Sequence, residues 1–285
     1  MNFEVIFLFV LALIWIVFAT IQDLRKREIA NWLNFSLIVF ALGFRFFYSL
    51  FSEQGFSFFY NGLIGLAIFV VLGHLMYYAR FFAGGDAKLM IALGVILPFT
   101  PEVLVNLNLF LTFFILFLFV GAVYIILVSL FLSFKHFKNF QKEFGNQVKK
   151  RKKIVYLIFV FGLILMILGI YSDVFFILGV LIFLLPYIYF YTKAVDEACM
   201  IRKIRPNDVT EGDWLYKDIK IRGKLIRASW DGLTKKDISL IKRSGKGVEI
   251  RQGIQFSPVF FFSFLIFGYL WQKDLIESVW KFIGF

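Results

Sequence analysis

Two aspartates stand where an acid is least expected. "ATIQDLRKREIANWL" carries Asp23 at the end of one apolar run, and "RFFAGGDAKLMIALG" carries Asp86 at the start of another. Ionisable residues in membrane segments are costly and usually functional. If the two helices pack together, the carboxyls meet in a partly dry site. Two acids that close do not both ionise readily, so they tend to share a proton. One then deprotonates a water while the other protonates a carbonyl or a leaving amine. That is peptide hydrolysis by an aspartic pair, and it needs neither a metal nor a covalent nucleophile. Gly84 and Gly85, having no Cβ, are expected to allow close backbone approach and unusual dihedrals just before Asp86. Either acid alone reads as a headgroup-level residue or a cap; the pair, with its glycines, reads as chemistry.

Other residues near the acids have two readings each. Lys88 is either a snorkelling lysine or an electrostatic neighbour that favours an ionised Asp86. Asn31 either hydrogen-bonds near the site or caps the following helix. His74 is expected to be packed or hydrogen-bonded, because no Cys/His cluster accompanies it. Arg45 is expected to snorkel outward, near Glu53. The acidic stretch "NDVTEGDW" reads mainly as a solvated loop, with a secondary reading as a docking point for a basic peptide. The single cysteine, Cys199, excludes an internal disulfide and a multi-cysteine zinc site. No metal and no cofactor are expected.

The elements that must hold these residues are membrane spans. Of the 285 residues 60% are hydrophobic, 41 of them Phe, and the mean hydropathy is +0.81. A soluble domain of this size could not hide so much apolar surface. Apolar runs fall at 3–22, 32–51, 56–79, 87–99, 103–134, 154–171, 174–192 and 257–272. They predict an all-α polytopic membrane protein of about eight transmembrane helices. The run 87–99 spans only if its helix begins near Gly84. The run 103–134 is expected to begin as an amphipathic piece, with Thr100 as cap and Pro101 in the first turn. The first segment has no basic n-region or cleavage site, so it reads as a span rather than a signal peptide.

Charge sets the orientation. Segments 23–31, 80–88, 135–153 and 193–256 carry 3, 2, 8 and 15 Lys and Arg, which is 28 of the 31 in the chain. The positive-inside bias makes that side cytoplasmic, with both aspartates at its boundary and both termini outside. The net charge of +12 is thereby accounted for by topology and by anionic lipid, not by nucleic acid. The organisation read from the chain is a membrane core at 1–134 and a basic cytoplasmic loop at 135–153. A transmembrane hairpin follows at 154–192, then a small cytoplasmic α+β module at 193–256 and a last span in 257–285. In the module, "WLYKDIKIRGKLIRAS" predicts a hairpin turning at Gly223. Thr234 with Asp237 opens a short helix that Gly245 ends, and "GVEIRQGIQF" predicts another strand.

The two motifs resemble those of the type IV prepilin peptidases, the GxGD membrane aspartyl proteases, and of their archaeal preflagellin and prepilin branch in particular. The first motif is met by Asp23, Ile29, Ala30, Asn31 and Leu33, with Ala30 where Pro is usual. The second is met by Ala83, Gly84, Gly85, Asp86, Ala87, Lys88 and Leu89, with Ala83 where Gly is usual. The tail "DGLTKKDISLIK…VEIRQGIQFSPVFFFSFLI" is similar to the end of archaeal members, whereas the hairpin at 154–192 has no match. The resemblance implies catalysis by Asp23 and Asp86. Its implied partners are pilin- or archaellin-like precursors with basic leader peptides, cleaved at the cytoplasmic face of the cell membrane. Bacterial members often carry a cysteine-rich zinc loop and N-methylate the product; without that loop neither is expected here. Two rival readings are weaker. Presenilin-type proteases place both acids in adjacent late spans with a Pro-Ala-Leu motif, which is missing. A transporter would favour mid-bilayer acids in repeated halves.

Overall fold

The computed structural model describes residues 2–52, 55–221, 223–229 and 232–283. Backbone polar groups have no partner in hydrocarbon, so long apolar runs satisfy them internally as helices. The first half of the chain forms α1 (Phe3–Lys26), α2 (Asn31–Phe51), α3 (Ser57–Tyr78), α4 (Gly84–Ile96) and α5 (Val103–Lys135). After these come α6 (Phe137–Lys150), α7 (Lys152–Leu168) and α8 (Asp173–Cys199). A small mixed region then holds β1 (Ile201–Ile204), β2 (Trp214–Leu215), β3 (Ile219–Ile221), β4 (Lys224–Ile226), α9 (Lys235–Ser244) and β5 (Val248–Arg251). The chain closes with α10 (Ser257–Gln272) and α11 (Ile276–Ile283).

Among the described residues, α1, α2, α3, α5 and α8 are long and apolar enough to cross a membrane. Helices α4, α7 and α10 are shorter, with 13, 17 and 16 residues. The chain divides into two compact units, residues 1–125 with 255–285, and residues 126–254.

In the first unit α4 packs between α2 and α3, and α1 packs on α2, α4 and α10. Leu8, Ile16, Leu37, Phe69, Leu93, Phe113, Phe117 and Phe264 lie in one apolar core. The contact of α3 with α4 depends on small residues. A Cβ on Gly65 would stand 2.1 Å from the Gly94 carbonyl oxygen, and one on Gly94 would stand 2.5 Å from Phe69 Cβ. Backbone cannot give way as a side-chain tip can, so Gly65→Ala must push the helices apart. A loss of about 1–3 kcal/mol is expected, read as a lower melting temperature of the detergent-solubilised protein. An Ala variant that melts with the wild type would refute the close approach.

Helix α4 begins at Gly84, as the length of its apolar run required, but it stops at Ile96. At 1.5 Å per residue it is about 20 Å long, less than a hydrocarbon core of about 30 Å. Its last carbonyls, and the turn that follows, therefore need donors from elsewhere. Arg45 supplies them. It is fully buried, donating through Nε to Val95 O at 2.8 Å and through the terminal nitrogens to Phe58 O, Ile96 O and Pro98 O. Its guanidinium also lies 4.3 Å from the Phe58 ring centroid. The expected outward snorkelling is thus wrong: four carbonyls draw the guanidinium inward, and Glu53 lies outside the described residues. Asn61 donates to Thr100 O and Pro101 O. Asn106 closes on both Thr100 O and Thr100 N. Thr100 therefore serves this turn instead of capping α5. Helix α5 runs unbroken for 33 residues from Val103, with no separate amphipathic piece.

In the second unit α7 and α8 pair closely. A Cβ on Gly179 would be 2.6 Å from Met166 N, the small-residue contact common between membrane helices. The basic stretch 135–153 contains α6, whose Phe140 and Phe144 rings meet Tyr191 and Phe190 of α8. Beyond α8 the expected α+β elements are present. β3 and β4 pair antiparallel with Gly223 at φ +83° in their turn. Thr234 and Asp237 form a capping box on α9, which ends at Gly245 with φ +68°. β5 pairs antiparallel with both β1 and β2, in the order β1-β5-β2. Arg251 of β5 meets Asp196 at 3.2 Å, and Tyr216 donates to Glu197 at 2.5 Å. That bond to a carboxylate holds the phenol proton and pushes Tyr216 up to about 12.

Candidate functional site

Asp23 and Asp86 are brought together from opposite kinds of helix end. Asp23 lies in the last turn of α1, and Asp86 is the third residue of α4. Each is only 8% exposed, and they are near enough for their charges to interact. The backbone N–H of Ala83, the residue before α4, hydrogen-bonds the Asp86 carboxyl, as an acid at the third helical position does in a capping box. The Ser257 N–H, at the start of α10, donates to Asp23 Oδ2 at 3.3 Å. The pair is therefore met by the positive ends of two helices, each of which favours negative charge beside it.

The two sequence motifs interlock at three points. Ile29 packs on Gly85, where an added Cβ would lie 3.1 Å from Ile29 Cβ. Lys88 Nζ donates to Asn31 Oδ1 at 2.6 Å. Asn34 Nδ2 donates to Gly85 O at 3.3 Å. Asn31 thus binds Lys88 and gives α2 no side-chain cap, and Lys88 joins the two motifs. The glycines act differently from each other. Gly85 provides close approach, whereas a Cβ on Gly84 would meet only Tyr77, at 3.9 Å. Both lie inside α4, and neither has a positive φ, so the unusual dihedrals expected at these glycines are not found.

The two departures from the family motifs have local explanations. Ala30 has φ −64°, the value to which Pro is locked. Its N–H, which Pro would lack, donates to Gln22 Oε1 at 3.1 Å. Ala83 has φ −71°, an ordinary value for any L-residue, so glycine is not required there.

Sequence reasoning overlooked part of this site. Gln255 Nε2 donates to Asp23 O, which also accepts from Arg27 N. Tyr124 OH in turn donates to Gln255 O at 3.1 Å. Asn34 Oδ1 and Ser257 Oγ are buried with no hydrogen-bond partner among the described residues. A buried polar atom left unpaired costs about 1–3 kcal/mol, so its position beside an acid calls for an explanation. Gln22 stands inside the first stretch quoted above, and Asn34 directly follows it. The segment 255–257 is more than 200 residues from Asp23, and no local signal connects them.

Residues with a second reading resolve simply. The His74 ring lies 2.7 Å from Val70 O, one turn back on its own helix. In the acidic stretch Asp208 pairs with Arg205, Glu211 pairs with Lys235, and Asp213 accepts from Thr210 N. Those charges are used within their own region. Among the described residues no group of three or more His, Cys, Asp or Glu is arranged to hold a metal.

The profile of the type IV leader peptidase family matches residues 10–133, which include both aspartates. Through this segment, somewhat under half of its length, the chain is similar to the type IV leader peptidase family. It is similar to the preflagellin peptidase of Methanococcus maripaludis (27% identical over 158 residues, 53% of this chain and 66% of the relative). The preflagellin peptidase of Methanococcus voltae is 25% identical over 154 residues, 52% of this chain and 63% of that protein. That of Methanocaldococcus jannaschii is 29% identical over 90 residues, 32% and 38%. The chain thus spans less than two thirds of the length of these relatives. No solved structure matches it. The leader peptidase match ends at residue 133, so most of the second unit, including the hairpin of α7 and α8, lies outside it.

Proposed function

We propose that this chain is an aspartic-type membrane endopeptidase that removes basic leader peptides from pilin- or archaellin-like precursors. Asp23 and Asp86 form its catalytic pair. The observation that carries the reading is two buried carboxyls, within range of each other's charge, at the place where the two motifs interlock. The match of residues 10–133 to the leader peptidase family and the names of the archaeal relatives support it. Gly85 and Ile29 set the spacing of the two helix ends, and the Lys88–Asn31 bond ties them. Neither acid needs a metal to activate water, since one carboxylate accepts the proton and the other carboxyl donates one. The deciding experiment is cleavage of a tagged pilin-like precursor by membranes carrying the wild type, Asp23→Asn or Asp86→Asn.

In this reading the chain crosses the cell membrane eight times, through α1 to α5, α7, α8 and α10. Segments 23–31, 80–88, 135–153 and 193–256 lie in the cytoplasm. The distribution of 28 of 31 basic residues supports that orientation, and it sets the acids at the cytoplasmic face where a newly made precursor arrives. The turn between α7 and α8 is then external. With Cys199→Ser as background, Ser172→Cys should react with a membrane-impermeant maleimide on intact cells. Labelling that requires permeabilised cells would invert the orientation.

A further inference from the structure

Ser257 is a residue whose backbone has an evident task and whose side chain has none. It is fully buried. Its N–H holds Asp23 Oδ2, and its carbonyl accepts from Thr20 Oγ1 at 3.5 Å. Its hydroxyl has no partner among the described residues. Ser257 is the first residue of α10, after Phe256 at the N-cap, so its hydroxyl is not at the position from which a serine caps a helix. α10 shows no side-chain cap bond, and Pro258 occupies its first turn. The hydroxyl is thus a net cost to the folded state, set on the residue that grips one of the two acids. Rotation about the Cα–Cβ bond moves Oγ among three staggered positions without moving the backbone. Because the same residue's N–H is already on the carboxylate, such a rotation is the short path by which Oγ gains a partner.

We propose that Ser257 is a positioning residue for Asp23, its hydroxyl closing on the Asp23 carboxylate when substrate engages the pair. Two donors from one residue, N–H and O–H, then fix the carboxylate, while Gln255 and Arg27 hold the carbonyl of the same aspartate. The segment 255–257 is in this sense a third part of the site, beside the two motifs. The proposal rests on the reading of Asp23 and Asp86 as the catalytic pair.

Structural and functional roles predict opposite results for Ser257→Ala. Removing an unpaired hydroxyl from the core should leave the melting temperature unchanged or raise it. Loss of orientation at Asp23 should lower kcat about 10- to 100-fold, the scale of small misplacements at a reacting centre, with KM held within about twofold. The assay is cleavage of a tagged precursor by the purified full chain, at saturating and limiting precursor, alongside thermal unfolding. Wild-type kcat would overturn the proposal. So would a rate loss accompanied by a lower melting temperature, which marks a structural residue, or a rise in KM alone, which marks a substrate contact. Asp23→Asn runs in the same assay. If it remains active, the reading of the acid pair fails; if it is inactive while Ser257→Ala is fully active, only this proposal fails.

Discussion

Asp86→Asn is expected to slow leader cleavage by about 10²- to 10⁴-fold, the usual contribution of a positioned acid or base, and to leave the fold intact. Asn has the size of Asp and still accepts from the Ala83 N–H, but it can neither take up nor release a proton at neutral pH. Asp23→Asn should behave alike, because its amide oxygen can still accept from Ser257 N–H. Two carboxyls buried at 8% exposure each repel when both are charged. Either substitution removes that repulsion, so the melting temperature should hold or rise while the rate collapses. The double variant should be little worse than the singles, since groups acting as a unit lose their function together. Initial rates in membranes and thermal unfolding of the purified chain check both halves. Retention of more than about a tenth of the rate by either single variant is incompatible with a carboxyl pair of this kind.

Arg45→Met is expected to do the reverse, harming activity through stability. The side chain is fully buried and donates to the carbonyls of Val95, Phe58, Ile96 and Pro98. Met fills similar space but donates nothing, leaving these oxygens unpaired where water has little access. At about 1–3 kcal/mol for each buried group left unsatisfied, the loss is a large part of the 5–15 kcal/mol or so that a folded chain has. A fall in melting temperature on the order of 10 °C or more follows, with poor accumulation in the membrane. Arg45→Lys should recover part of this, since an ammonium donates to some of the carbonyls but lacks the planar fork. The site should suffer with it, because α4 is held by Arg45 at one end and presents Asp86 at the other. Wild-type melting of Arg45→Met would show that these carbonyls find other donors.

The features legible in the residue order are those whose cause is local. An acid at the edge of an apolar run stands out by itself, so Asp23 and Asp86 were visible without a structure. The helices followed from apolar runs whose backbone has no alternative partner. The hairpin at Gly223, the Thr234–Asp237 capping box and the stop at Gly245 were equally plain, because each depends on backbone chemistry within a few residues. Even Ala30 in place of Pro is intelligible locally, once Gln22 is seen to use the N–H that Pro would lack.

What only the tertiary structure decided is where distant donors meet acceptors. Arg45 looked like a snorkelling residue because nothing near it in sequence shows the carbonyls it serves, most of which lie about 50 positions later. The end of α4 at Ile96, before the apolar run is over, has the same cause: a helix can stop inside the protein when side chains from other helices take its last carbonyls. The hold of Gln255 and Ser257 on Asp23 spans 232 and 234 positions, and no periodicity or spacing carries that information. Residue types and local backbone preference determined which groups could do chemistry and which segments would be helical. Their register, their burial and the donors that fix them arose only when packing brought remote polar groups together away from water, where each must find a partner or remain a cost.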